Sequence, residues 1–326
     1  MHPEYVFIVN PSSGGGKGEI VARLLEKMLP QHPAFRDGKG GVFRASQVGS
    51  EEFHDIAACA KTLVAVGGDG TAHYLIPHLL KLSPPPALGL IPMGTSNDLA
   101  RALNVSVGED YANERTLSKT LENLLEARQS GLDVFSVNER LFFSNYFSIG
   151  FDAIIVRDFD DVRKSWWARL LPHGRTTNNF LYFLMGLKNA GFFIDPPLEI
   201  DFLVDRESNH VRVDSRVRAI IVSNLPVYAG GCHISRDARK DDGVFEITII
   251  RSTYDYLTLI ASRFLPFVRL PHGAAQYHAR RATLRLHSPS PAQIDGEKCA
   301  GIEESRGVLN ISFHASLRVL SVTSGM

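Results

Sequence analysis

The chain has 326 residues, enough for about two domains, and its 44% hydrophobic and 21% charged content is typical of a globular protein with apolar cores. Lys plus Arg equals Asp plus Glu at 35 each, so no excess of positive charge indicates a nucleic-acid-binding protein. Three scattered cysteines disfavour a disulfide framework or a zinc site, and no apolar run approaches the ~20 residues that span a bilayer. Because the N-terminus also lacks the pattern of a signal peptide, the sequence predicts a cytoplasmic protein that at most touches membranes.

From about residue 5 to 130, strand patterns alternate with helical patterns. The predicted strands are Tyr5–Val9, 62–66 and Leu88–Ile91. Apolar residues at helical spacing follow at about 20–29, 71–82, 97–103 and 112–129. This alternation predicts an N-terminal α/β domain with a parallel sheet covered on both faces.

From about Asp133 the pattern changes to one strand after another. Predicted strands lie near 134–137, 142–148, 198–204, 217–221, 244–250, 282–287 and 309–322. Where apolar and polar residues alternate in them, the pattern indicates an antiparallel sandwich, here larger than the first domain. Two insertions that look helical, near 157–193 and 252–280, are rich in aromatic residues and Arg. We expect a first domain over 1–132, to which about 312–326 is a candidate to return, and a sandwich domain over 133–311.

One glycine-rich loop follows the strand at 62–66 and reads Gly67-Gly68-Asp69-Gly70-Thr71. Glycines between a strand and a helix expose backbone N–H groups beside a helix N-terminus, and both favour a phosphate. A carboxylate such as that of Asp69 repels phosphate unless a cation lies between them. The loop therefore predicts a nucleotide phosphate site with a metal, although taken alone it is explained equally well as a plain turn.

Two further loops follow strands in the same half. Asn10–Gly18 is not a Walker A loop, because Lys17 is followed by glycine and not by Ser or Thr. Pro92–Asp98 is explained either as a ligand loop or as a helix cap, since Ser, Asn and Asp are good capping residues. Parallel strands end at one sheet edge, where α/β folds bind ligands, so the three loops together favour a binding site.

A fourth feature, Asp295-Gly296-Glu297, lies in the second half of the chain. It predicts either an ordinary turn between two strands or a site that needs a carboxylate. Phosphoryl transfer depends on positioning and charge neutralisation, and an acid often orients the attacking hydroxyl. Glu297 would be such a base only if the sandwich folds back over the phosphate loops, which spacing alone does not show.

Together, Gly67–Thr71 and Gly94–Arg101 resemble the diacylglycerol kinase catalytic domain, in the superfamily shared with sphingosine and ceramide kinases. NAD kinase and phosphofructokinase share only the Gly-Gly-Asp-Gly loop. The regulatory zinc-binding modules of eukaryotic-type members are absent, so the resemblance implies a catalytic core alone. Further segments that resemble the family are Asn145–Ala153, Asn224–Gly231, Asp242–Glu246 and Gln293–Glu297.

The resemblance implies ATP and Mg²⁺ as cofactors and assigns roles to matching positions. Asp69 would act in catalysis and, with Asp133, in the metal network, while Asp242 would hold a second, structural metal. Glu297 would be the general base on the lipid hydroxyl, with Asp295 beside it in the catalytic set. The implied nucleotide-binding residues are Asn10, Gly14, Gly67, Gly68, Gly70, Thr71, Gly94, Thr95, Asn97 and Asp98.

The function that the resemblance implies is an ATP-dependent lipid kinase, with diacylglycerol to phosphatidate as the leading reaction. One alternative is another lipid acceptor: a sphingoid base, ceramide or monoacylglycerol. The second is a nucleotide-binding regulator without catalysis, which stays open because His73-Tyr74 stands where many members have Asn-Glu. The family's nucleotide-pocket Thr also has no clear counterpart, since Ala45 or Ser46 falls there.

A lipid substrate resides in a bilayer, so such a kinase has to touch a membrane surface. Arg163–Leu171, Phe180–Phe193 and Arg263–Leu270 combine aromatic residues with cations, as interfacial helices do. The same composition also fits core aromatics with a solvated cationic rim. The expected partners are therefore a lipid at a transiently bound membrane surface and no nucleic acid, with a homodimer left open.

Overall fold

The computed structural model describes residues 3–165, 175–204, 207–235, 237–265, 274–299 and 307–322. The chain folds into two compact units, Met1–Leu132 with Ser316–Met326 and Asp133–Ala315. Within the described ranges, no helix is long and apolar enough to cross a membrane. The parts of the expected interfacial segments at 166–171, with both tryptophans, and at 266–270 lie outside the described residues.

The first unit is built on a parallel sheet in the order β2-β1-β3-β4. Its strands are β1 (Tyr5–Val9), β2 (Gly40–Arg44), β3 (Thr62–Gly67) and β4 (Ala87–Pro92). Its helices are α1 (Gly18–Met28), α2 (Glu51–Cys59), α3 (Asp69–Leu79), α4 (Asp98–Ala102) and α5 (Glu114–Glu126). Strand β2 was not among the predicted strands, because it begins with two glycines and none of its residues is fully buried.

Burial explains why the remaining strands of this sheet were predictable. Every residue of β3 and β4 is buried, which is the pattern of parallel strands covered on both faces. One face packs against α1 and α5 in a cluster that includes Phe7, Val64, Leu25 and Leu121. Helix α5 ends at Glu126, earlier than the predicted 129, because the next strand begins at Arg128.

Two long strands, β5 (Arg128–Val137) and β18 (Val308–Ser321), belong to both units along their length. In the first unit, β18 pairs in parallel with β4 at Val319 and Leu88. The hydroxyl groups of Ser130 and Ser321 lie 3.2 Å apart where β5 and β18 run together.

The second unit contains two larger antiparallel sheets, a two-stranded antiparallel sheet and three helices, α6 (Phe151–Lys164), α7 (Arg175–Lys188) and α8 (Thr253–Ala261), among its described residues. Its strands up to β12 are β6 (Leu141–Phe143), β7 (Tyr146–Gly150), β8 (Leu198–Val204), β9 (Glu207–Val213), β10 (Ala219–Ser223), β11 (Val227–Tyr228) and β12 (Cys232–His233). The strands that follow are β13 (Phe245–Ile250), β14 (Ala275–Ala279), β15 (Arg281–Leu286), β16 (Ala292–Ile294) and β17 (Glu297–Lys298).

The two larger sheets of this unit face each other. One has the order β14-β13-β10-β7-β16-β17, and the other contains β9, β8, β15 and β18 with β5 and β6. Phe135 and Phe143 of the second sheet meet Phe147, Ile220 and Phe245 of the first in one core cluster. The predicted fold class, a parallel α/β domain followed by an antiparallel sandwich with helical insertions, is thereby confirmed.

The strands of the second unit differ from expectation in several places, since the short strands β11 and β12 were not predicted. Strand β14 lies inside the region predicted as the second insertion, and β9 was not predicted at all. Strand β9 reads Glu-Ser-Asn-His-Val-Arg-Val, and only Val213 in it is buried. An edge strand with one solvent-exposed face has few apolar residues, so its sequence resembles that of a loop.

The helices of the second unit share a small core of their own. Phe151, Ile154 and Ile155 of α6 contact Tyr182 and Met185 of α7, and Tyr256 of α8 packs on the same cluster. The Phe159 and Tyr182 rings stack with centroids 4.0 Å apart. Phe151 and Tyr256 meet edge to face at 4.9 Å.

Arg218 is a buried cation that ties these helices to the sandwich. Its guanidinium donates to the carbonyl groups of Ala190 and Phe192, which follow α7, and to Thr253 Oγ1 at the start of α8. The guanidinium carbon also lies 4.6 Å from the ring centre of Phe151. A buried guanidinium that donates four hydrogen bonds stabilises the fold, because removing it leaves its partners unsatisfied.

We predict that Arg218→Met lowers the free energy of unfolding by about 3 kcal/mol, because two carbonyl oxygens and the Thr253 hydroxyl lose their donor. The matched control is Arg216→Met, since Arg216 pairs with Asp195 at 3.0 Å on the surface. The control should stay within about 0.5 kcal/mol of the parent chain. Urea titrations of both variants check this, and equal shifts would contradict the role of Arg218.

Candidate functional site

The glycine-rich loops of the first unit leave the sheet side by side. Strands β1 and β3 pair Val9 with Val66, and β3 and β4 pair Gly67 with Pro92. Because the strands are parallel and in register, the segments that follow them start at the same edge. This places the loops after β1, β3 and β4 at the position where open α/β sheets bind ligands.

Two of these loops touch backbone to backbone. A Cβ atom on Gly94 would lie 2.5 Å from the Cα atom of Gly68, closer than any side chain can come. A Cβ atom on Gly67 would lie 2.1 Å from Thr71 Oγ1. The glycines are therefore needed for contact between the loops, and the edge presents backbone groups, which suit a phosphate.

Asp69 joins the second and third loops through its carboxylate. Its Oδ2 accepts a hydrogen bond from Asp98 N at 3.0 Å, and its Oδ1 accepts one from Leu99 N at 3.2 Å. These amides belong to the first turn of α4, so Asp69 supplies the cap of that helix from another element. The cap does not come from Ser96, Asn97 or Asp98, as the alternative interpretation of the third loop had it.

Asn97 instead closes the third loop on itself. Its backbone is left-handed, with φ of 53°. Its side chain accepts from Gly94 N at 2.9 Å and donates to Gly94 O at 2.8 Å. Thr95 lies inside this closed loop, and Asp98 directly after it is buried at the start of α4.

Asn10 connects the first loop to the second. Its Nδ2 donates to Thr71 Oγ1 at 3.4 Å, while its Oδ1 accepts from Ser12 N at 3.2 Å. Gly14 and the two glycines after it all have positive φ, a run that only glycine adopts readily. A Cβ atom on Gly14 would lie 2.9 Å from Met93 Cε, so the first loop also approaches the third. Gly70 lies in the first turn of α3.

Asp69 fits a role beside Mg²⁺. Each carboxylate oxygen that accepts one amide retains acceptor capacity for a water or a cation. Across the described ranges, no group of three or more His, Cys, Asp or Glu side chains converges on a metal position. Mg²⁺ in nucleotide sites is commonly held by one or two carboxylates, waters and the phosphates themselves, so a single Asp69 suffices.

The two departures from the family pattern are distant in sequence but lie near each other in the structure. The Tyr74 hydroxyl donates to the carbonyl of Val48 at 3.4 Å, and its ring lies 5.3 Å from that of His78. Tyr74 is thus tied to the segment that follows β2. Ala45 and Ser46, where the family has its Thr, form a short helical turn directly after that strand.

In the second unit the structure brings Asp133 and Asp242 close together. Asp133, on β5, is buried; its amide donates to Lys240 O and its Oδ2 accepts from Gly243 N, both at 2.6 Å. Asp242 precedes that glycine, and its Oδ1 accepts from Val244 N at 3.0 Å. The carboxyl group of Asp133 therefore fixes the turn that displays Asp242.

Glu246 is a buried acid beside this turn that the sequence did not single out. Its Oε2 has no hydrogen-bond partner among the described residues. Burial, with the negative charges of Asp242 and Asp237, raises the pKa of Glu246 to about 8. An unpartnered buried carboxylate oxygen near other negative charges is stabilised either by a proton or by a cation that uses water for its remaining ligands. The sequence feature that could have identified Glu246 is an acidic residue among the apolar residues of β13.

We predict that Glu246 makes stability fall with rising pH. Its folded pKa of about 8 exceeds the ordinary 4.5, so its contribution is fully present below pH 4.5 and is lost as the pH rises through 8. In EDTA the parent chain should lose on the order of 2 kcal/mol between pH 6 and 9, and Glu246→Gln should lose little. Urea titrations at both pH values measure this.

Metal addition and a surface control sharpen that test. At pH 9, Mg²⁺ should restore stability to the parent chain but not to the Glu246→Gln variant, because the cation replaces the missing proton. Glu207→Gln, on the exposed end of β9, should keep the parent's pH dependence. An unchanged pH dependence in Glu246→Gln would contradict the prediction.

Asp295, Gly296 and Glu297 form the turn of the β16–β17 hairpin, in which Ile294 pairs with Glu297. Asp295 and Gly296 have φ of 49° and 86°, as a two-residue type I′ turn requires. The buried Asp295 carboxylate accepts the backbone amides of Ser144, Asn145 and Tyr146 at 3.1, 2.9 and 2.9 Å. Glu297 follows on the exposed side of the hairpin.

A second buried network supports the same turn from the other side. Gln293 Oε1 accepts from Gly296 N at 2.8 Å, and its Nε2 donates to Asp152 Oδ2 at 3.1 Å. Ser148 and Tyr228 donate to that oxygen as well. Burial raises the pKa of Asp152, while these hydrogen bonds oppose the rise. These residues lie in segments that resemble the family, but no role was predicted for the residues themselves.

Tyr182 of α7 borders this hairpin. Burial raises the pKa of its hydroxyl, and the negative charge of Glu297 adds to the rise. Helix α6 contacts both α7 and β17, so α7 and the hairpin pack on the same helix. The helical insertion is therefore next to the hairpin that carries Glu297.

Comparison with known proteins adds family information to this geometry. The diacylglycerol kinase catalytic domain family matches residues 4–137, and the diacylglycerol kinase accessory domain family matches residues 142–298. Human diacylglycerol kinase zeta is 28% identical over 341 residues, covering 92% of this chain and 34% of the relative. Diacylglycerol kinase 2 of Arabidopsis thaliana is 26% identical over 344 residues, covering 98% of this chain and 46% of the relative.

This chain spans less than half of the length of either relative. A crystal structure of a diacylglycerol kinase from Bacillus anthracis str. Sterne has a TM-score of 0.60 and 18% identity, covering 98% of this chain and 96% of that one. At that identity the likeness concerns the fold.

Proposed function

The chain belongs to the diacylglycerol kinase family, and we propose that it is an ATP-dependent lipid kinase that converts diacylglycerol to phosphatidate. The observation that carries the proposal is the loop edge of the parallel sheet, where Asp69 ties two glycine loops together through backbone amides. We assign nucleotide binding to the first unit and lipid binding to the second. The protein would associate transiently with membrane surfaces, where its substrate resides.

The nucleotide half of the proposal rests on backbone groups. Glycine contacts at the sheet edge and the N-terminus of α3 favour the phosphates of ATP. Mg²⁺, when bound, would neutralise charge on the transferring phosphoryl group. Asp69 would hold it through water or directly, with Asp133 as a water-linked acid. The proposed nucleotide set is Asn10, Gly14, Gly67, Gly68, Gly70, Thr71, Gly94, Thr95, Asn97 and Asp98.

In the acceptor half, Glu297 would take the proton from the lipid hydroxyl as its oxygen attacks the γ-phosphorus. The bond between that phosphorus and the β,γ-bridging oxygen breaks, and ADP leaves. Asp295 accepts three backbone amides with its carboxylate, so we assign it to positioning the turn and not to proton transfer. Gln293 would support the same turn through Gly296.

We predict that labelled ATP, Mg²⁺ and a panel of lipids in mixed micelles give labelled phosphatidate. The panel contains diacylglycerol, monoacylglycerol, ceramide and sphingosine. Glu297→Gln should lower kcat by about 1,000-fold, because an amide accepts no proton from the lipid, while the KM for ATP stays within about twofold. The matched control Glu207→Gln should keep full activity.

Each outcome of the panel has a distinct meaning. Label in another lipid favours the alternative acceptor, and ATP binding without transfer to any lipid favours a regulator without catalysis. Full activity in Glu297→Gln would overturn the assignment of the base, whichever lipid is labelled.

We also predict that Gly94→Ala lowers kcat/KM for ATP by about 100-fold, because a Cβ atom there would force the second and third loops apart. Binding to lipid vesicles should not change. Gly191→Ala is the matched control, since a Cβ atom on Gly191 meets nothing within 4 Å. Steady-state kinetics with varied ATP, beside thermal unfolding of both variants, checks the prediction; equal ATP kinetics in the two would refute it.

A further inference from the structure

Helix α7 carries apolar side chains on the side opposite its packed face. Phe180, Phe183, Leu184 and Leu187 recur at helical spacing and are between 37% and 61% exposed. The inner face contributes Tyr182 and Met185 to the core with α6. A helix that is apolar on both faces is usually covered on both, so the outer stripe needs a partner.

Helix α8 repeats this arrangement. Tyr254 and Leu257 are exposed, while Leu259 is fully buried. Phe264 and Leu265, just after the helix, are exposed as well. Tyr182 and Tyr256 pack on the same α6 cluster, so α7 and α8 lie over one small core. We call the exposed residues of the two helices the docking face: Phe180, Phe183, Leu184, Leu187, Tyr254, Leu257, Phe264 and Leu265.

The two segments that carry the docking face are rich in Lys and Arg, of which Lys188 pairs with Asp158 of α6 at 2.7 Å. The chain as a whole has 35 acidic and 35 basic residues. Residues 162–194, which contain α7, include five Lys or Arg and no Asp or Glu, and the same holds for residues 256–294, which contain most of α8. Arg163 and Arg263 lie over the rings of Phe159 and Phe264, both at 5.6 Å. Apolar side chains with Arg163 and Arg263 beside them complement an anionic surface with an apolar interior.

The docking face also lies near the hairpin of the proposed base, because α7 packs on α6, and Asp152 of α6 accepts a hydrogen bond from Gln293 of β16 at 3.1 Å. Helix α7 has 14 residues and is about 21 Å long. A helix of that length that lies in a bilayer interface buries its apolar face to a depth of roughly 5–10 Å. The reacting hydroxyl of a diacylglycerol lies in this same layer, between headgroups and acyl chains.

We propose that the docking face inserts into the interfacial layer of an anionic lipid bilayer and delivers the membrane-embedded hydroxyl to Glu297. This proposal rests on the proposed function, and it identifies the surface through which the kinase would reach its lipid substrate. A second copy of the chain fits the face less well. Symmetric pairing would bring the same Arg side chains of both copies to one interface, and like charges repel.

The first experiment measures sedimentation of the full chain with phosphatidylcholine vesicles that contain 30 mol% phosphatidylserine, a composition of about the charge of a cytoplasmic leaflet. Phe183→Ser combined with Leu187→Ser should lower the vesicle partition coefficient at least about tenfold, because two large apolar contacts are lost. Tyr254→Ser with Leu257→Ser tests α8 in the same way. The matched control is Ile20→Ser, an equally exposed apolar residue on α1 of the first unit.

All substituted side chains are exposed, so urea midpoints should match the parent chain. Parent binding should weaken on pure phosphatidylcholine and at high salt. Unchanged vesicle binding in both double variants overturns the proposal. So does a solution dimer that the variants convert to monomer while vesicle binding stays the same, because a second copy then covers the face.

Kinetics separate docking from the proposed function. With a short-chain diacylglycerol below its critical micelle concentration, the Phe183→Ser, Leu187→Ser variant should keep kcat and KM within about twofold. With diacylglycerol in anionic vesicles, kcat/KM should fall in parallel with vesicle binding. Equal losses on both substrates overturn docking, because the helix then acts within the active site. A parent chain that phosphorylates neither substrate but loses vesicle binding in the variant contradicts the proposed function and supports docking.

Discussion

A carboxylate that accepts backbone amides from a distant segment is the interaction on which the candidate site residues of each unit depend. In the first unit, Asp69 accepts the amides of Asp98 and Leu99. In the second, Asp295 accepts those of Ser144, Asn145 and Tyr146. Charge-assisted bonds to backbone amides are short and strong, and here they fix loops that the secondary structure alone would leave variable.

This interaction explains how acidic residues divide their roles. Asp69 and Asp295 use their oxygens on backbone amides, and Asp133 uses one of its own on Gly243. Glu297 lies on the exposed side of the hairpin that Asp295 anchors, where a carboxylate suits exchange of a proton with a substrate. Position in the fold, and not residue type, thus distinguishes the acids that shape the site from the acid proposed to react.

The second unit combines two physical tasks. Its sandwich supplies a rigid core from Phe135, Phe147 and Phe245, and its helices pack on a smaller core around Ile154 and Ile155. Arg218 joins the two through carbonyl groups and aromatic rings. With their inner faces held in this way, α7 and α8 can leave apolar side chains on the outside without losing their fold, which is the arrangement that the docking proposal requires.

The sequence by itself determined the fold class, most strands of the parallel sheet and the family. Local periodicity and loop chemistry express these features within a few residues, as at 62–66 followed by Gly67–Thr71. It did not predict β2 or β9, because glycines and a wet edge leave few apolar residues in them. The predicted strand at 142–148 is two strands, since Ser144 and Asn145 give their amides to Asp295.

The contacts between distant side chains are visible only in the tertiary structure. Asp69 contacts the first turn of α4, Gln293 contacts Asp152, and Glu246 lies near other acids. These pairs are separated by 29 residues in the first case and 141 in the second. Their contact depends on strand register and on which loops share a sheet edge. Side-chain patterns report the neighbours within one turn or one strand, so they do not contain that information.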